Sequence, residues 1–129
     1  FDTTHARHPD RSDLAAWARY NHWLAYPEGS VFAPLLLKML TLRSGADHPV
    51  ITPFSDAEIA LHFDHIANQL GDNPYILGQD LSGADFGICY MVSMAERLGQ
   101  LGPYPSLQAY LARCRARPAF ERAIAKAVE

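Results

Sequence analysis

The chain has 129 residues, of which 49% are hydrophobic and 19% charged, enough for one domain to bury a core without disulfide or metal staples and too apolar for a disordered segment. Its formal charge of -3, with no long Lys/Arg run, excludes the electrostatic footprint of a nucleic-acid or anionic-membrane binder. The longest apolar run, Val31 to Leu42, is broken by Pro34 and Lys38 and falls short of the roughly 20 residues of a membrane helix. Cys89 and Cys114 lie far apart and outside any C-x-x-C pattern, which indicates neither a disulfide framework nor a thiolate zinc site and fits a reducing cytoplasm. The chain opens with Phe1 and a polar stretch instead of a signal peptide, as a fragment of a longer protein would.

Residues 1–11 lack an apolar period and read as a linker or tail. Ser12 or Asp13 can cap a first helix in which Leu14, Trp17, Asn21 and Leu24 form one stripe, widened by Tyr20, Trp23 and Tyr26. Pro27 and Gly29 interrupt that helix, but Val31, Phe32, Leu35, Leu36, Met39 and Leu40 resume the period, so one long, bent helix is predicted to about Leu42. A loop from Ser44 to Pro53 follows, and Ser55 is placed to cap a helix carrying Ile59, Phe63, Ile66 and Leu70 that ends at Gly71.

The segment Leu81-Ser82-Gly83-Ala84-Asp85-Phe86 concentrates helix-start chemistry. With Ser82 as N-cap, its hydroxyl can accept from the Asp85 N–H while the Asp85 carboxylate reaches back to the Ser82 N–H, a capping box; Leu81 and Phe86 are spaced as a hydrophobic staple. This predicts a structural role for Ser82 and Asp85, with removal of the Asp85 carboxylate costing about 1–2 kcal/mol. The helix from Gly83 to about Leu98 is apolar on nearly every side and should run through the centre. Pro105 and Pro118 suit first helical positions of two further helices, one carrying Leu107, Tyr110, Leu111 and Cys114 and the other Phe120, Ala123, Ile124 and Ala127. The expected fold is an all-α bundle of five or more helices, with residues 12–129 as its domain.

Three segments, Trp23 to Leu36, Tyr75 to Phe86 and Tyr104 to Ala123, carry a resemblance along nearly the whole chain: it is similar to the all-helical C-terminal domain of bacterial cytosolic glutathione transferases. The pattern Leu81, Ser82, Asp85 opens the central helix in that family. The resemblance implies that the thioredoxin-like N-terminal domain, which supplies the catalytic Tyr, Ser or Cys and binds most of the glutathione co-substrate, is absent from this sequence. It also implies a cytoplasmic detoxifying transferase as parent, inactivity of this chain alone, a homodimer, and a pocket for a small hydrophobic electrophile. No metal, nucleic acid or membrane enters this reading, and no catalytic residue is expected within the chain.

By rough register His22, Tyr26, Gly29 and Ala33 share one helix face with Phe32 beside it, so His22, Tyr26 and Phe32 are the candidates to line the electrophile site. Glu28 is the candidate for reaching the amino end of glutathione held by a partner subunit. The same spacing fits bland alternatives: Trp17, Tyr20, Trp23 and Tyr26 as core and interface aromatics, His22 as a solvated histidine and Glu28 as a loop residue. Glu58, His62 and His65 fall at i, i+4 and i+7, where a metal-ligand face and a solvated helix face look alike, and with no fourth ligand the solvated face is favoured. A non-catalytic binding or dimerisation module of the same fold is the alternative to an enzyme's domain.

Overall fold

The computed structural model describes residues 7–127, so the first part of the expected tail lies outside the described residues. Helix α1 (Leu14–Tyr26) passes without a break through a π-helical turn (Pro27–Val31) into α2 (Phe32–Ser44), followed by α3 (Ile51–Leu70), α4 (Gly83–Arg97), α5 (Pro105–Arg115) and α6 (Pro118–Ala127). Counting the first rod as one, the bundle has five helices and, among the described residues, no strand; Tyr75 and Gly78 merely bridge across a tight turn. The fold is the all-α bundle expected from the periodicity, with its long first helix continuous through Pro27 and Gly29.

Pro27 has no N–H to donate and its ring crowds the preceding turn, and the widened π turn absorbs that conflict without breaking the rod. Asp13 supplies the expected N-cap of α1, accepting from the Ala16 N–H at 3.0 Å. The expected stripe is rotated, however: Tyr20 and Trp23 are buried, whereas Leu14 is 76% and Leu24 46% exposed. Aromatic and leucine positions surround this helix, so two faces matched the period, and the core took the one bearing the larger rings.

The start of α3 also differs. Ser55 is fully buried inside the helix and donates its hydroxyl to the Thr52 carbonyl at 3.0 Å, while the helix begins at Ile51. Pro53 falls in the first turn, where its missing N–H removes no intrahelical bond, so the proline read as loop belongs to the helix. Gly71, with φ 52°, closes α3 as expected. The Lys38 ammonium meets Asp56 at 2.6 Å and ties α2 to α3, which lie alongside each other.

Helix α4 is the central element, burying Ala84, Ile88, Met91, Val92 and Ala95. Two glycines one turn apart let the first rod approach it. A β-carbon at Gly87 would stand 2.8 Å from the Pro27 ring, and one at Gly83 would overlap the Tyr20 hydroxyl. The segment before α1 completes this contact. The Arg7 carbonyl accepts from the Gly83 N–H at 2.8 Å, satisfying a donor that the first turn of any helix leaves open, and the Arg7 guanidinium donates to the Leu81 carbonyl at 3.3 Å.

Candidate functional site

Two polar constellations stand out, one at the start of α4 and one between α1 and α3. At the first, the Ser82–Asp85 capping box is present. The carboxylate does more than the local motif requires. Oδ2 accepts from the Ser82 N–H at 2.8 Å and the Ser82 hydroxyl at 2.9 Å, and Oδ1 accepts from the Ile76 N–H at 2.9 Å and the Tyr110 hydroxyl at 3.1 Å. Asp85 is wholly buried and joins the 75–82 loop, α4 and α5 at one residue. Burial, then the adjacent Asp85 carboxylate, drives the Tyr110 phenol far above its ordinary range, so it remains a donor. Every acceptor position visible here is engaged in holding the fold. Leu81 is buried, but Phe86, its expected staple partner, is 60% exposed and stands with it at the rim of one cleft.

The second constellation contains two of the candidate site residues. The half-buried Tyr26 hydroxyl lies 2.8 Å from Nδ1 of His62, whose Nε2 is 3.5 Å from the Glu58 carboxylate. A carboxylate can only accept, which favours the His62 tautomer protonated on Nε2 and leaves Nδ1 to accept from the phenol. Burial, with Glu58 adding to it, raises the Tyr26 pKa above the ordinary phenol value, so the hydroxyl stays neutral at physiological pH. The His22 ring sits 5.4 Å from Tyr26, and His65 stacks on Trp23 at 5.1 Å with a 17° angle between planes.

The structure therefore joins His22 to Tyr26 but does not gather all the predicted site residues. Phe32 lies beyond the π turn, half-buried against the core, with no ring contact to this cluster among the described residues. Glu28 is exposed on the π turn. His62 and His65 were visible in the sequence only as a helical spacing; their pairing with Tyr26 and Trp23 crosses between helices, and spacing along one helix holds no record of that. Among the described residues no three His, Cys, Asp or Glu side chains converge as a metal-ligand set, because His62 is directed to Glu58 and Tyr26. Likewise, none of the described helices is long and apolar enough to cross a membrane.

A continuous bent first rod, a central helix opened by a Ser-x-x-Asp box and short helices packed behind it define a helical domain of the glutathione transferase type. Residues 46–126, more than half of the chain, match the family described as glutathione S-transferase, C-terminal domain, and the chain belongs to that family. It is 26% identical over 128 residues to glutathione S-transferase 1 of Saccharomyces cerevisiae, an alignment that takes in 86% of this chain and 54% of that protein. Among solved structures, a glutathione S-transferase from Actinobacillus pleuropneumoniae superposes with a TM-score of 0.82 at 26% identity, covering 98% of this chain and 57% of the other. The isozyme E7 glutathione S-transferase of Drosophila melanogaster gives a TM-score of 0.74 at 25% identity over 95% of this chain and 56% of its own. The chain thus spans about half the length of the relatives it matches.

Proposed function

We propose that this domain works as the electrophile-binding and dimer-forming half of a cytoplasmic glutathione transferase whose thioredoxin-like half binds and activates the thiol of glutathione. The observation that carries this reading is the superposition of 98% of the chain on just over half of a glutathione S-transferase, which assigns the helical portion to this chain and leaves room for a second domain. Thiol activation is then the work of that other domain, and the 129 residues acting alone conjugate nothing.

In this reading the Tyr26 ring and the neighbouring His22 ring form an aromatic wall, suited to a small apolar electrophile because such ligands gain most from burial against π faces. His62, braced by Glu58, holds the Tyr26 hydroxyl in one orientation, and the phenol oxygen retains a lone pair toward a polar substituent on the electrophile. In the same reading the accessible part of Phe32 adds a separate apolar surface further along the rod, and Glu28, exposed on the π turn, takes the ammonium end of glutathione bound by a partner subunit.

The test is a conjugation assay with an aromatic electrophile, and a calorimetric glutathione titration, on the chain joined to its thioredoxin-like domain and on the 129 residues alone. Binding and turnover confined to the joined protein support the transferase reading. A joined protein that neither binds glutathione nor turns over overturns it in favour of a binding or dimerisation module.

A further inference from the structure

The domain holds a further constellation, a pair of cysteines, that the transferase reading does not use. Cys89 on α4 and Cys114 on α5 are both buried, neither is in a disulfide, and their two helices pack against each other. Both cysteines line a cleft of about 260 Å³ whose apolar walls include Leu81, Phe86, Phe120 and Ala123 and whose lining also takes in Arg7, Asp85 and Arg117. A cavity of about 150 Å³ accommodates a benzene ring, so this cleft has room for an aryl group above the two sulfurs. We propose that Cys89 and Cys114 form a dithiol site for monosubstituted trivalent arsenicals, the aryl group lying in the apolar cleft and the arsenic bridging both sulfurs.

Several features agree on that ligand class. Soft thiolates select soft, thiophilic centres. Two sulfurs alone do not complete the tetrahedral set a zinc ion takes, and no third His, Cys, Asp or Glu joins them among the described residues. An arylarsenic centre needs only two protein ligands, since its carbon substituent fills the third position. The reaction is a condensation in which arsenic keeps its oxidation state: the As–O bonds of an arsenoxide or its hydrate are replaced by two As–S bonds, and the two thiol protons leave with the oxygen as water. One thiol attacks first and the other closes the chelate.

The experiment uses phenylarsine oxide on the reduced 129-residue chain, followed by intact mass and by the number of thiols titratable after denaturation. The expected result is one phenylarsenic unit per chain, loss of both titratable thiols, and release by a dithiol but not by millimolar glutathione. Cys89→Ala and Cys114→Ala should each weaken retention about 100-fold, because the second sulfur acts at high effective concentration. A near-ultraviolet and thermal-melting check on each variant separates lost chelation from lost folding. Should a variant fail to fold, the native chain still decides the matter. Addition of two phenylarsenic units, release by glutathione, or reaction only in denaturant would each overturn the dithiol site.

Discussion

The Asp85 and Tyr26 constellations are built from similar parts, a carboxylate, a phenol and a hydrogen-bonding neighbour, yet they serve opposite ends. Asp85 is wholly buried and serves three segments at once through four donors. Among the described residues Tyr26 makes one side-chain hydrogen bond, to His62, in a cluster where His22 and His65 remain exposed. A buried polar network fully satisfied by the fold leaves nothing for a ligand and loses much when one member is removed; a half-exposed one is cheap to alter and accessible to small molecules. Chemistry of residue type does not separate the two roles, and burial does.

The largest effect should follow Asp85→Ala, which strands four donors, two of them backbone N–H groups, and is expected to cost about 3 kcal/mol or more, above the capping contribution alone. Urea denaturation measures it; a loss near 1 kcal/mol would reduce Asp85 to an ordinary cap. Gly87→Ala comes next, at about 1–3 kcal/mol, because a methyl group 2.8 Å from the Pro27 ring must push the first rod away from α4. Thermal melting reads this directly.

Alkaline titration sharpens the contrast between the phenols. Tyr110 has its pKa raised in the folded state, so the unfolded chain releases that proton first, near pH 10, and binds fewer protons than the native one there. Stability is therefore unaffected by this group below that pH and falls as pH rises beyond it. Ultraviolet difference spectra should show exposed tyrosines ionising reversibly while Tyr110 ionises only with unfolding; reversible ionisation of every tyrosine in the folded chain would contradict its burial. The smallest stability effect should come from Tyr26→Phe, at about 1 kcal/mol or less, since one partly exposed hydrogen bond is lost. In the joined protein the same change should raise the KM for a polar-substituted aromatic electrophile several-fold with little change in kcat, and an unaltered KM would remove Tyr26 from the electrophile site.

The helical class, the ends of α3 and α4, and the burial of Leu107, Tyr110, Leu111 and Cys114 on α5 were legible in the sequence, because caps, breakers and helical periods act within a few residues. Ser82 and Asp85 were legible for the same reason. Even the resemblance that led to the family rests on such local segments. The face that α1 buries was not legible, since leucines and aromatics encircle it and only the partner helices choose between them. Nor were the bonds from Ile76 and Tyr110 to Asp85, the meeting of Tyr26 with His62, and the opening of Cys89 and Cys114 onto one cleft, each of which joins residues of separate structural segments. The sequence by itself determined that the chain is helical, where α4, α5 and α6 begin and where α3 ends. The tertiary structure alone decided which polar groups became buried supports and which were left within reach of a ligand, because desolvation depends on what packs around a group and not on its neighbours along the chain.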